Sequence, residues 1–216
     1  MTKMLHLGCG QTLLEGWENF DNSLSVRMAQ MPVFFSLLKS LRILNDEQVR
    51  FIKFCQEKRI GFADVTRRIP AEDSSVDAIY SSHMLEHLSH DQADMFLEEC
   101  VRVLRPGGIL RLSVPDLKKL TMDYINDEDA VRFITRLQLR PSCNGRKRSR
   151  LVTVFIGDRG HKWMYDGASL SALLSRAGFV DTQVVPPGTT CIVQTYDLDL
   201  FERQEESVYV EARKRV

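Results

Sequence analysis

Cysteine is sparse in this sequence, and its spacing pairs nothing. Cys9, Cys55, Cys100, Cys143 and Cys191 are odd in number and scattered, and no C-x-x-C occurs. That pattern speaks against a disulfide framework or a zinc knuckle and fits a reducing cytoplasm. Charge of one sign is also missing: the formal net charge is zero, so no global field draws in nucleic acid or acidic membranes. The longest apolar stretches, such as Val33 to Leu38, fall far short of the roughly 20 residues a bilayer requires. No signal-peptide pattern opens the chain; Met1-Thr2-Lys3 passes straight into an apolar run. Repeats, low-complexity tracts and linkers are lacking too. What remains is 216 residues, 44% hydrophobic and 27% charged, enough for one domain over residues 1–216 with a well-buried core.

Hydrophobic patterning then divides the chain. Met4 to Leu7 is apolar and stops at Gly8-Cys9-Gly10, as a buried strand ending in a tight turn does. Trp17 to Phe20, Ile60 to Ala63, Val76 to Tyr80 and Ile109 to Val114 read as further strands, each closed by Asp, Ser or Pro. Between Ser23 and Arg59 lies a helical insert. Phe34, Leu37, Leu38, Leu41 and Leu44 make an apolar stripe behind Pro32, and Asn45 with Gln48 makes a capping box. Ser89 with Gln92 opens another helix, whose buried face is Ala93, Phe96, Leu97, Cys100, Val101 and Leu104, ended by Arg105-Pro106-Gly107-Gly108. Leu117 to Leu139 reads as a helix broken near Asn126, and Asp166 caps one that Gly178 ends. Phe179 to Val185 and Ser207 to Ala212 are the last strands. Strands alternating with helices predict an α/β fold: a doubly wound, mostly parallel seven-stranded sheet with an antiparallel strand near the end.

Gly8 and Gly10 after the first strand, with Asp21 ending the second, have the form of a nucleotide-type site. Glycines let backbone N–H groups approach a ligand closely, and the acid accepts hydrogen bonds from ribose hydroxyls. A dinucleotide site fits poorly. The third glycine of G-x-G-x-x-G is missing, and the acid comes sooner than the roughly 20 residues such a site expects. Only Cys9 to Gly16 separates the first two strands, although a parallel crossover usually takes about a dozen residues or more. Either one helical turn suffices, or the second strand is displaced.

The ordered series LHLGCG, GWENFD, FADV, SSVDAIYSSHMLEHL, LRPGGILRLSVPDL, HKWMYD, LLSRAGF and ESVYVEARK resembles class I S-adenosylmethionine-dependent methyltransferases. The likeness is to the type 11 group, in particular predicted methyltransferases associated with polysaccharide biosynthesis. It covers nearly the whole chain except the insert and the basic segment. It implies a Rossmann-like fold with S-adenosylmethionine as cofactor. Gly8, Cys9 and Gly10 would pass beneath its methionine part, Asp21 would take the ribose, Asp64 and the Val65 backbone would meet the adenine, and Ser82 and His83 would face the sulfonium.

A hydroxyl acceptor benefits from a base, which His83, His87 or His161 can supply, with Asp116 a fourth candidate. The acceptor implied is a hydroxyl of a glycan, sugar nucleotide or small molecule. Two rival functions use the same letters. His83-x-x-Glu86-His87 matches inverted zinc proteases, with both histidines on one helix face. The resemblance explains those residues without metal, and none is expected. Alternatively the chain binds S-adenosylmethionine without catalysis, as a scaffold. Acceptor contacts are expected from residues 23–59 and from a lid at 139–165, where His161, Trp163 and Tyr165 cluster and Gly157 and Gly160 can hinge. Arg140, Arg146, Lys147, Arg148 and Arg150 form a basic run, read as a solvated loop ahead of a phosphate site. No stacking motif supports nucleic acid. The Phe34 stripe is expected in the core or in a homodimer contact.

Overall fold

The computed structural model describes residues 2–139 and 160–216. Among these, β1 (Met4–Leu7), β2 (Glu18–Asp21), β3 (Gly61–Phe62), β4 (Val76–Ser82), β5 (Leu104–Pro115), β6 (Phe179–Val185) and β7 (Ser207–Lys214) form one sheet, in the order β3-β2-β1-β4-β5-β7-β6. Neighbours are parallel except at β7, which runs antiparallel to both β5 and β6. The doubly wound sheet and its reversed late strand are as expected. No helix among the described residues is long and apolar enough to cross a membrane.

Alternation along the strands gives the sheet two unlike faces. One carries Leu5, Leu7, Ile79, Leu110, Leu112, Val208 and Val210, packed on α4 (His90–Val103) and α7 (Gly167–Arg176). The other buries polar groups: His6, Tyr80, Arg111, Ser113 and Glu211. Each long polar side chain there has a partner. His6 meets Asn19, Tyr80 donates to Glu202, and Arg111 donates to Glu211 at 2.6 Å. This second face is covered largely by loops. Leu14 and Trp17, from the connection between β1 and β2, and Ile192 and Leu198, from the connection between β6 and β7, pack on Met4, Ala78 and Tyr80.

The local signals produce the elements they predict. Asn45 and Ser89 make complete capping boxes for α3 (Asp46–Glu57) and α4, and Asp166 makes one with Ser169 for α7. Pro32 occupies the first turn of α2 (Pro32–Ser40). The break in the Leu117 helix falls at Glu128, in the left-handed region at φ 53°. There α5 (Leu117–Asp127) ends, and Asp129 caps α6 (Ala130–Leu137).

Four readings need correction. The link between β1 and β2 contains no helix; parallel pairing of Leu5 with Glu18 is reached through turns alone. The insert begins with a short α1 (Leu24–Ala29) that the periodicity did not reveal. Of the apolar stripe, Phe34, Leu37 and Leu41 face solvent, whereas Leu38 and Leu44 pack with Met28 and Ile52, joined by Phe35 from outside the stripe. Finally, α4 ends at Val103, before the glycines, and Leu104 already belongs to β5, where a bulge absorbs the irregular stretch.

Candidate functional site

The carboxyl ends of β1, β2 and β3 lie side by side, where doubly wound sheets bind ligands. The chain leaves β1 through Gly8 and Gly10, at φ 74° and 53°, a conformation that favours glycine. Gly8 and Cys9 both donate backbone N–H to the Phe20 carbonyl, which ties the turn to β2. A Cβ on Gly8 would lie 2.7 Å from Met84 Cγ, whereas one on Gly10 meets nothing within 4 Å. Asp21 Oδ2 accepts from Gly10 N at 3.1 Å, and Oδ1 accepts from Ser23 N at 2.7 Å. A carboxylate has about four acceptor positions, so half-buried Asp21 keeps capacity for a ligand hydroxyl while it fixes the turn. The Cys9 thiol is pushed up to about 12, first by burial and then by the Asp21 charge, so it is a neutral packing group at physiological pH.

Asp64 follows β3. Its Oδ1 accepts from Thr66 N at 3.2 Å and from Thr66 Oγ1 at 2.7 Å, and its Oδ2 pairs with exposed Arg67. Asp64 thus acts as a turn acid, yet it also borders an open cleft of about 610 Å³ lined by Arg27, Gln30, Met31, Phe62 and Arg67. Val65 points into the core, so only its backbone can reach that space. The sequence reading missed Arg27, Gln30, Met31 and Phe62. Phe62, two residues before Asp64 at the end of a strand, was the available signal; the α1 residues had none.

At the end of β4, Ser82 is half-buried and His83 takes φ 49°. The His83 ring bonds Ser207 at 2.9 Å, and its Nδ1 lies 3.3 Å from Glu86 Oε1. Ser207 opens β7, so the ring reaches over β5, on the side of β4 away from Gly8. Met84 is the side chain that meets the glycine turn. The helix that would put His83 and His87 on one face does not form. His83 precedes a single 3-10 turn, Leu85–His87.

A different group forms instead. Glu86 is 1% exposed, and neither carboxylate oxygen has a hydrogen-bond partner among the described residues. Its backbone carbonyl accepts from Lys162 N and Trp163 N, which brings His161 alongside. His161 Nδ1 bonds the Leu137 carbonyl at 2.8 Å, and His87 Nδ1 bonds the Gly160 carbonyl at 3.3 Å. The two imidazoles meet edge to face at 5.1 Å. Burial lowers the pKa of His161, against the raising effect of Glu86. His161 is therefore an interior residue, and residues 140–159 of the expected lid lie outside the described residues. Tyr165 is also buried, and burial followed by Glu86 pushes its phenol up to about 12. Trp163 packs against His90 at 4.1 Å and is half exposed, so His161, Trp163 and Tyr165 do not share one open surface. Asp116 caps α5 by accepting from Lys118 N. Arg140, Arg146, Lys147, Arg148, Arg150 and Gly157 lie outside the described residues.

A methyltransferase-domain family model matches residues 43–112, roughly a third of the chain. A probable S-adenosylmethionine-dependent methyltransferase of Mycolicibacterium smegmatis is 48% identical over 68 residues, 32% of this chain and 25% of that protein. An uncharacterized 37.1 kDa protein in a Streptomyces fradiae transposon is 38% identical over 87 residues, 39% of this chain and 25% of that protein. The chain thus spans about a quarter of the length of the curated relatives it matches. Among solved structures, an S-adenosylmethionine-dependent methyltransferase of Thermotoga maritima, described as a possible histamine N-methyltransferase, aligns over 100% of this chain and 83% of its own. Its TM-score is 0.52 at 14% identity. One from Methanosarcina mazei aligns over 99% and 92%, with a TM-score of 0.50 at 17% identity. These likenesses establish the fold as the α/β, Rossmann-like arrangement of such methyltransferases.

Proposed function

We propose that this protein is an S-adenosylmethionine-dependent methyltransferase acting on a hydroxyl of a glycan, a sugar nucleotide or a small molecule. The observation that carries the reading is the pairing of Gly10 N with Asp21 across the ends of β1 and β2, beside the cleft at the end of β3. The residues present fit the cofactor. Space lies open above Gly10, Asp21 keeps acceptor positions, and Asp64 borders a cleft with an aromatic and an apolar side chain in its wall. Bound there, S-adenosylmethionine supplies an electrophilic methyl group on a sulfonium.

The chain's own tasks are to hold, align and exclude water. Gly8, Cys9 and Gly10 offer backbone beneath the methionine part, and Asp21 takes the ribose hydroxyls. Asp64 and the Val65 backbone flank the adenine, and the Ser82–His83 main chain borders the sulfonium end. The buried group of His83, Glu86, His87 and His161 is where an acceptor proton is received. Of its three imidazoles, His87 is the half-buried one with Nε2 unengaged among the described residues. The glycan-type acceptor and the polysaccharide-associated subgroup are supported by the motif series from LHLGCG to ESVYVEARK.

Calorimetry with S-adenosylmethionine and S-adenosylhomocysteine tests the cofactor. Binding is expected, and Asp21→Ala is expected to weaken it by about 1–3 kcal/mol, the scale for losing a buried hydrogen-bonding partner. Circular dichroism checks that the variant is folded. Absence of binding, or equal affinity in the variant, defeats the proposal.

A further inference from the structure

A buried carboxylate with no donor is costly, because desolvation removes water and nothing replaces it. Glu86 is close to that position among the described residues: neither oxygen receives a hydrogen bond, and the His83 Nδ1 contact at 3.3 Å involves Oε1 alone. Its surroundings deepen the anomaly. A carbonyl only accepts hydrogen bonds, so the contacts with the Gly160 and Leu137 carbonyls put the protons of His87 and His161 on Nδ1. Each neutral ring then has a bare lone pair on Nε2, and that of His161 lies 3.9 Å from Glu86 Oε1. A lone pair facing a carboxylate oxygen is repulsive unless something positive sits between them.

We propose that Glu86, His87 and His161 bind a divalent transition-metal ion of the zinc class. One ligand atom from each lies within 4.8 Å of the others. Tetrahedral zinc, with bonds of about 2.0–2.1 Å, sets its donors roughly 3.3 Å apart, so closure takes a movement of about an ångström. The carbonyl contacts are the outer hydrogen bonds that metal-bound histidines ordinarily make; they fix the tautomer and aim Nε2. Two imidazoles and one carboxylate suit zinc, iron, cobalt or nickel better than calcium or magnesium. The ligand set differs from the H-x-x-E-H reading, because His161 replaces His83, which is held by Ser207. It also departs from the metal-free expectation drawn from the sequence.

Three protein ligands leave a fourth position open, as in sites that handle a substrate. The acceptor's oxygen would occupy it, so that the ion would orient the acceptor, while His87 and His161 serve as ligands and not as bases. This last step rests on the methyl-transfer reading; the metal site does not.

The test uses the full chain, stripped with chelator and held free of cofactor. Zn²⁺ titration is expected to show one equivalent bound and a raised melting temperature. Co²⁺ is expected to give visible d–d bands without the thiolate charge-transfer absorption that cysteine ligation would add. Glu86→Gln, His87→Gln and His161→Ala are each expected to weaken Zn²⁺ by about 100-fold or more, beyond the loss of an outer partner alone. His87 is half-buried, so its variant keeps the test valid if the buried variants fail to fold. No stoichiometric binding by the wild type, or unchanged affinity in a folded His87→Gln, overturns the site and leaves a shared proton as what sits beside Glu86. Cofactor calorimetry on the same stripped protein reads methyl-donor binding separately, so failure of one reading is distinguishable from failure of the other.

Discussion

Adding a methyl group at Gly8 or at Gly10 separates two properties of the glycine turn. Both residues have positive φ, and an L side chain in that region costs about 1–2 kcal/mol. Restricting the unfolded chain returns about 0.4–1 kcal/mol of that for Gly→Ala. For Gly10→Ala the net cost is therefore about 1 kcal/mol, since the new Cβ meets nothing within 4 Å. At Gly8 the new Cβ would lie 2.7 Å from Met84 Cγ and 3.0 Å from Met84 Cβ, and overpacking of this kind adds about 1–3 kcal/mol. Gly8→Ala is thus expected to cost about 2–4 kcal/mol. Urea midpoints at constant slope measure the difference. In a Met84→Ala background, which removes Cγ but keeps the Cβ 3.0 Å away, the Gly8→Ala cost should fall toward the Gly10→Ala value without reaching it, the signature of direct contact. The cofactor response runs the other way. Gly10→Ala fills the space above the turn, so a well-folded variant should lose at least about tenfold in S-adenosylmethionine affinity, near 1.4 kcal/mol. Equal stability costs at the two glycines, or a cost at Gly8 that ignores Met84, would refute the reasoning.

Arg111 and Glu211 are almost wholly buried and paired, and Glu211 also accepts from Thr190 and Cys191. Arg111→Met is expected to cost about 3–5 kcal/mol by leaving Glu211 charged and unpaired, and adding Glu211→Leu should cost less than the sum of the two changes, as read from a thermal double-mutant cycle. Brief alkylation of the native protein at pH 8, mapped by mass spectrometry, should spare Cys9, Cys55 and Cys100. Burial pushes Cys55 to about 11 and Cys100 well above its ordinary value, and all three are sequestered. Half-buried Cys191 should label before them. Rapid labelling of Cys9 would mean that the turn opens freely.

What was legible in the sequence was mostly local. Met4–Leu7 had a short, mostly apolar run against two glycines, and Asn45, Ser89 and Asp166 had amide, hydroxyl and carboxylate caps answered three residues later. Such signals need no knowledge of what lies across the fold. Only Leu38 and Leu44 of the stripe at Phe34 pack in the core, because periodicity gives the period of a helix and not which side its neighbours occupy. Phe35 and Leu44 won the contact with Met28 and Ile52, and Phe34 was left outside. His83 illustrates the same limit in the site. Its position after β4 was right, but Ser207, 124 residues away, decides where its ring points. The Glu86 group was half visible in H-x-x-E-H. The third member, His161, lies 75 residues further on, and it is brought in by backbone contacts of its own segment with Gln138 and Glu86, which no local pattern announces.

The helix-free passage from β1 to β2 has a consequence for how the chain is made. The face bearing Met4, Ala78 and Tyr80 is left to late residues: Trp17 donates to the Thr195 carbonyl, Tyr80 to Glu202, and Arg111 to the Thr189 carbonyl. These contacts span from 78 to 178 residues of sequence. Synthesis proceeds from the N-terminus at about 5–20 residues per second. A ribosome-bound chain carrying β1 to β5 therefore exposes the bare apolar and polar groups of this face for seconds, until residues 186–206 emerge. Contacts of this range are also slow to form once available, because the closure entropy of the intervening loop precedes any gain from the contact. Arrested nascent chains ending before residue 186 should accordingly recruit holdase chaperones, and release should follow the emergence of the segment that holds Ile192 and Leu198.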